Sequence, residues 1–411
     1  MSEAAGVGEG RYPGLSGGRM AASLVICALA MLADGYDLAA MPIAVPYISE
    51  QWGMAPALFG PSIAAVLVGL GTGALLLGPY GDKFGRRPMI FFGLLTLGLA
   101  TLGTASSTVL SHFLAWRLLT GLALGACLPN VTALVAELVP SRVRAGAMTA
   151  VSCAVPVGGV IAGFVAAPLV SLGDWHMIFL APGILTLLLA AAAWLCLPPP
   201  RAASPSQTGE PARRMPLLAP LTRPFWRASA VFIGLYTVNA FILYILSSWL
   251  PTLLPRIGFT LGEAAQLTAA VQAGGLAGGL IISFFLDRGF TVVSLICAYL
   301  LVIVALITAG FIPAHWWGWA VLLFIVGLGT SGTHLALMAV GTSFYPANML
   351  STAIGLAVAV ARLGAIAGPL LGGVLVARQI SPGAFLLVVT LPVALCAAGV
   401  LLVPTVKRRL V

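Results

Sequence analysis

The sequence predicts an all-α membrane protein with twelve transmembrane helices in two six-helix bundles, and three observations lead to that reading. Hydrophobic residues fill 60% of 411 positions and mean hydropathy is +1.07, against about 45–50% apolar residues in an ordinary soluble domain. They fall into twelve runs, each near the roughly 20 residues that cross a bilayer as a helix. One hydrophilic stretch, 198–227, divides the runs six and six.

In order, the runs are 20–45, 57–79, 89–108, 113–136, 145–170, 177–197, 229–250, 264–286, 292–312, 317–342, 352–376 and 384–403. Residues 1–19 form a polar tail. The first run is too long, and too lacking in a cleavage site, for a secretory signal, so it is expected to remain as the first membrane helix. The expected organisation is a cytoplasmic tail (1–19), an N-terminal bundle (20–197), a central loop (198–227), a C-terminal bundle (228–404) and a tail (405–411). The loop's Pro/Ser-rich start, Pro198-Pro199-Pro200-Arg201-Ala202-Ala203-Ser204-Pro205, suits a flexible tether.

Loop charges predict orientation. With the N-terminus inside, the cytoplasmic segments hold Arg11, Arg19, Lys83, Arg86, Arg87, Arg142, Arg144, Arg201, Arg213, Arg214, Arg223, Arg227, Arg288, Lys407, Arg408 and Arg409. The outer loops hold Arg256 and Arg378 alone. That asymmetry follows the positive-inside rule and places both termini in the cytoplasm, with the chain in the plasma (inner) membrane.

The same placement argues against nucleic acid as a partner despite a net charge of +9, because the positive residues sit in short gaps between apolar runs. Cys27, Cys127, Cys153, Cys196, Cys297 and Cys396 all lie in apolar segments without a Cys-x-x-Cys pair, so they read as packing residues, not metal ligands or a disulfide framework. Neither Lys83 nor Lys407 completes a phosphate-binding loop, and no His-Glu-x-x-His or Gly-x-Ser-x-Gly segment occurs. Neither an enzyme nor a cofactor is expected.

Within the first run, Asp34-Gly35-Tyr36-Asp37 sets two carboxylates three residues apart, on one helix face near mid-membrane. Each would cost about 2.5–3.5 kcal/mol in lipid, and only 8% of the chain is charged. Two like charges this close in low dielectric cannot both ionise cheaply, so one is expected to hold a proton, as a proton carrier requires. The alternative is a structural pair. Arg117 in the fourth run and Arg362 in the eleventh are intramembrane guanidiniums that need counter-ions, and Asp34 and Asp37 can supply them. Arginine also suits bidentate recognition of a substrate carboxylate; salt bridges within one half are the alternative. His334 lies well inside the tenth run, as a proton relay or a satisfied core histidine. Tyr36, Tyr244 and Trp249 are candidates to wall an aromatic pocket, with an interface-belt role open for Trp249.

A second constellation lies at the cytoplasmic face. Gly81-Asp82-Lys83-Phe84-Gly85-Arg86-Arg87-Pro88 follows the second run, and Asp287-Arg288-Gly289 repeats part of it after the eighth. Gly81 and Gly85 permit a tight turn, Asp82 can cap or pair with a helix end, and Arg86 and Arg87 hold the loop at the membrane surface. Glu137 and Arg142, at the inner end of the fourth run, are expected to form a charge lock with this loop. Gly158, Gly159 and Gly163 in the fifth run, and Gly364, Gly368, Gly372 and Gly373 in the eleventh, offer small faces for close helix crossing.

The Gly81–Pro88 segment resembles the signature loop of the major facilitator superfamily, whose six-plus-six repeat about an axis along the membrane normal fits this chain. Further motifs resemble its aromatic acid:proton symporter branch, including the hydroxyphenylpropionate and hydroxybenzoate transporters. They are Asp34-Gly35-Tyr36-Asp37, Arg117-Leu118-Leu119-Thr120-Gly121 with Leu128-Pro129-Asn130, and Arg362-Leu363-Gly364-Ala365-Ile366 through Gly368-Pro369. Ser248-Trp249-Leu250-Pro251 and Gly258-Phe259 also belong to the likeness.

The resemblance implies a major facilitator fold, usually monomeric, that imports a small aromatic carboxylic acid with protons by alternating access. It implies coupling and substrate roles at Asp34, Asp37, Arg117, Arg362 and His334, and a conformational latch at Gly81, Asp82, Gly85, Arg86 and Arg87; from the residues themselves, Tyr36 joins the substrate candidates and Glu137, Arg142, Asp287 and Arg288 join the latch. An exporter of the same fold, a sugar porter and a non-transporting sensor are the alternatives; the two intramembrane arginines suit an anion.

Overall fold

The structure is a computed structural model that describes residues 16–199 and 219–408. The tail 1–15 with Arg11, the loop stretch 200–218 with Arg201, Arg213 and Arg214, and the terminal 409–411 with Arg409 lie outside the described residues.

Before the loop come α1 (Gly17–Trp52), α2 (Gly60–Leu76), α3 (Tyr80–Phe84), α4 (Arg86–Ala105), α5 (Leu110–Leu138), α6 (Arg144–Ser152), α7 (Ala154–Gly173) and α8 (Met177–Cys196). After it follow α9 (Trp226–Leu253), α10 (Leu261–Asp287), α11 (Thr291–Ala309), α12 (Trp316–Thr342), α13 (Ala347–Ala377), α14 (Pro382–Val400) and α15 (Leu402–Arg408). No strand occurs among the described residues. Twelve helical runs among them are long and apolar enough to span a membrane, one for each apolar run of the sequence. Helices are the expected solution, because lipid offers no partner for backbone N–H and C=O groups.

Proline has different outcomes in two spans. α1 continues unbroken through Gly35, Pro42 and Pro46, so the Asp34–Asp37 segment is regular helix. The fifth span instead divides into α6 and α7 at Cys153. Pro156 lacks the N–H that would bond the Ser152 carbonyl, and the helix gives way there.

The chain forms two compact units by contact: residues 1–40, 65–162 and 168–207 in the first, and 41–64, 163–167 and 208–411 in the second. In the first, α4 packs on α5 and α8 around Leu94, Leu97, Leu124 and Val131. α1 and α7 meet backbone to backbone: a Cβ added at Gly35 would lie 1.8 Å from the Val155 carbonyl oxygen, and one at Gly158 would lie 2.1 Å from that of Leu32. Only glycine allows that approach, which fixes the rotation of α1 and hence the face carrying its carboxylates. In the second unit, α10 packs along α12 and α9 along α13. The buried Trp249 indole N–H donates to the Pro369 carbonyl at 3.0 Å, tying α9 to α13.

Candidate functional site

The first unit contains a buried ion pair. Arg117 of α5 is fully buried, and its two terminal nitrogens donate to the Asp37 carboxylate oxygens at 2.9 and 2.8 Å. Nη2 also reaches the Asp37 backbone carbonyl at 3.3 Å. The guanidinium lies 5.9 Å from the centroid of Phe179, which packs edge-on against Phe113 and Trp175. The sequence offered Asp34 and Asp37 together as counter-ions; the geometry gives Asp37 to Arg117, while Asp34 is buried one helical turn earlier on α1. The Tyr36 hydroxyl donates to the Ile178 carbonyl of α8 at 3.0 Å, so it ties α1 to α8.

The second unit holds a different kind of site. His334 of α12 lies face to face with Tyr236 of α9, with centroids 4.2 Å apart and planes within 13°. Its Nδ1 is 3.2 Å from the Asn239 amide nitrogen. Asn239 is fully buried; it donates to the Thr330 carbonyl at 3.1 Å, and its oxygen accepts from Tyr299 at 3.0 Å and Thr333 at 3.1 Å. Arg362 of α13 is half-buried, and its charge is felt by both Tyr236 and His334. Unlike Arg117, it makes no hydrogen bond or ion pair among the described residues. Asn239, Tyr299 and Thr333 escaped the sequence reading. The one available signal was an asparagine in the otherwise apolar middle of the seventh run.

At the α3–α4 corner, Arg86 is a hub. It pairs with Asp82 at 2.5 Å and with Glu137 at 3.3 Å, and donates to the Asn130 side-chain oxygen at 3.3 Å. Asn130 in turn donates to the carbonyls of Gly78 at 3.3 Å and Ala126 at 2.8 Å. Gly85 turns the chain between the two helices with φ +95°, a conformation that favours glycine. Arg87 lies over Trp194, 4.6 Å from its centroid. Arg142 is exposed and joins no ion pair among the described residues. In the second unit, Arg288 sits over Phe284 at 3.4 Å, and neither it nor Asp287 forms an ion pair among the described residues.

Twelve spans, charged side chains buried at mid-helix and an arginine-centred corner between the second and third spans define a polytopic membrane carrier. A family profile described as Major Facilitator Superfamily matches residues 26–369, and the chain belongs to that superfamily. It is an integral multi-pass membrane protein of a transporter family, not an enzyme. The 4-hydroxybenzoate transporter PcaK of Pseudomonas aeruginosa is 31% identical over 92% of this chain and 91% of its own length. The 3-(3-hydroxy-phenyl)propionate transporter of Escherichia coli is 32% identical over 89% and 90%. These relatives agree with the branch that the sequence motifs resemble. A bacterial homologue of the human lysosomal transporter Spinster, solved in an inward-facing and occupied conformation, superposes with a TM-score of 0.72 at 18% identity, covering 95% of this chain and 98% of that one. That likeness supports the fold alone.

Proposed function

We propose that the protein imports a hydroxylated aromatic carboxylate together with protons. The observation that carries this reading is Arg362: a guanidinium within the membrane span, without an anionic partner among the described residues, beside the flat stacked pair Tyr236–His334. A benzoate-type acid supplies what is missing, a carboxylate for the cation and a ring for the aromatic face. Relatives named for 4-hydroxybenzoate and 3-(3-hydroxyphenyl)propionate support the substrate class.

Coupling is assigned to the first unit. Protonation of Asp37 weakens its hold on Arg117, and the negative charge of the bound acid offsets the positive charge the proton adds, which lowers the cost of closing the loaded protein from water. Tyr36 supports α1 in this scheme and is a secondary substrate contact. The Arg86 hub with Gly81, Asp82, Gly85, Arg87 and Glu137 latches one state of the cycle; Arg142, Asp287 and Arg288, which form no ion pair among the described residues, are minor members of the cytoplasmic set. The moving bodies are the bundles 20–197 and 228–404, joined by the loop 198–227, in a monomer. The positive-inside pattern supports an inner-membrane location with the tails 1–19 and 405–411 in the cytoplasm.

The test is uptake of radiolabelled 4-hydroxybenzoate into proteoliposomes under an imposed pH gradient, acid outside. Accumulation that collapses with a protonophore is expected. Accumulation of sugars or cationic drugs instead, or uptake indifferent to the gradient, overturns the reading. Clamping the potential sets the stoichiometry: one proton per monoanion moves no net charge, whereas a second adds about 2.3 kcal/mol per 100 mV.

A further inference from the structure

We propose that Asn239 is a positioning residue that holds His334 as the neutral tautomer with its proton on Nε2, so that the ring offers a hydrogen-bond donor to an oxygen of the bound acid and does not carry the coupled proton. The inference rests on the reading of this cluster as the acid site and assigns each nitrogen of the ring a task.

Donors and acceptors around Asn239 fix its orientation. A side-chain amide has two N–H donors and a carbonyl oxygen that accepts, and its NH2 group cannot accept. The orientation of Asn239 is fixed by Thr330, whose carbonyl can only accept and lies 3.1 Å from Nδ2. On the other side, the Tyr299 hydroxyl donates to Oδ1 at 3.0 Å; the Thr333 hydroxyl lies 3.1 Å from Oδ1 and shares its one proton with the Gly329 and Thr330 carbonyls. Reversing the amide would set two carbonyl oxygens against each other in a buried site, an uncompensated polar contact. The remaining Nδ2 hydrogen therefore points at His334, 3.2 Å from Nδ1. For that contact to bond, Nδ1 must present a bare lone pair, and the ring proton must sit on Nε2. An imidazolium would turn N–H against N–H and lose the bond.

The ring's other freedom is its plane, and Tyr236 removes it by stacking at 4.2 Å and 13°. With Nδ1 anchored and the plane fixed, the Nε2–H vector has one direction. Among the described residues the imidazole makes its one hydrogen bond through Nδ1, which leaves Nε2 for a ligand. The groups that act on the ring are Asn239 and Tyr236 from α9 and Arg362 from α13, with Tyr299 of α11 behind the amide. A neutral donor within reach of the Arg362 charge suits the carboxylate or phenolic oxygen of a hydroxylated aromatic acid. Proton carriage then falls to the carboxylates of the first unit.

The experiment is 15N NMR on the full-length chain, labelled at histidine and held in lipid nanodiscs. Replacing His112, His176 and His315 by Gln leaves His334 as the lone signal without touching the cluster. At pH 7 the expected pattern is a protonated, pyrrole-type ε2 nitrogen and a bare, pyridine-type δ1 nitrogen. A proton on δ1, or on both, overturns the proposal. In Asn239→Asp a carboxylate accepts where the amide donated, so the proton is expected to move to δ1 and the KM for 4-hydroxybenzoate uptake to rise about tenfold, the worth of one hydrogen bond. An unchanged tautomer in that variant overturns the role of Asn239. Adding 4-hydroxybenzoate to the parent should shift the ε2 resonance; no shift while uptake is intact overturns the donor role. If the parent takes up no aromatic acid, the substrate reading has failed, and the tautomer pattern still decides what Asn239 does.

Discussion

Arg117 and Arg362 are both guanidiniums within membrane spans, yet their surroundings are opposite. Arg117 is sealed from solvent and gripped by both oxygens of Asp37. Arg362 is half-buried, beside a stacked aromatic pair, with no anion to hold it among the described residues. The difference is what the proposed division of labour rests on, where from sequence alone both arginines had the same candidate role. A charge already neutralised by its own chain is a poor receptor for a substrate but a good switch, because one proton on its partner changes its state. A charge left without a counter-ion is the better receptor.

The largest effect that would test this contrast is on stability. Arg117→Ala strands the Asp37 carboxylate in a dry interior and should cost about 3–5 kcal/mol, read as a lowered thermal midpoint in detergent. Removing both partners, as Arg117→Met with Asp37→Leu, should restore most of the midpoint while abolishing uptake driven by the pH gradient. If the single variant were as stable as the parent, the pair would not be the buried lock described.

Arg362→Ala should behave in reverse. With no bond to lose, its midpoint without ligand should match the parent. Affinity for 4-hydroxybenzoate should weaken by about 1.5–3 kcal/mol, the value of hydrogen bonds to a charged group. Arg362→Lys should recover part of it, since an ammonium keeps the charge but not the planar fork. A ligand-induced rise in midpoint, measured on parent and variants, reports both quantities in one titration.

The contrast between the arginines also marks how far the sequence could be read. Twelve spans were legible because lipid demands about 20 apolar residues per crossing, and that signal survives in composition alone. The motif holding Asp82 and Arg86 was legible because it is local, although the motif alone pointed Asp82 to a helix end and not to Arg86 as its partner. Asp37 and Arg117 were legible as charges in need of partners, but 80 residues separate them, and choosing between Asp34 and Asp37 takes the rotation of α1 that Gly35 and Gly158 impose. Tyr36 was placed at the substrate for its ring, while its hydroxyl is committed to a backbone carbonyl on α8. Asn239 was missed because a single amide in an apolar run carries no periodicity. Its meaning comes from α11 and α12, which the chain reaches 60 and more residues later.

A smaller pair of effects extends the comparison to the two cytoplasmic corners. In the first unit, Arg86 binds Asp82, Asn130 and Glu137. Arg86→Ala removes one bond each from the Asn130 oxygen and the half-buried Glu137 carboxylate, which should cost about 1–2 kcal/mol and alter the rate of uptake more than its KM. In the second unit the repeated motif has an arginine but, among the described residues, no such network: Arg288 rests on Phe284, an exposed contact worth about 0.5–1 kcal/mol. Arg288→Ala should therefore shift the thermal midpoint little and leave uptake close to the parent's. Equal losses of uptake from the two substitutions would mean that the corners share the work of latching, and that the asymmetry in their bonding has no counterpart in the transport cycle.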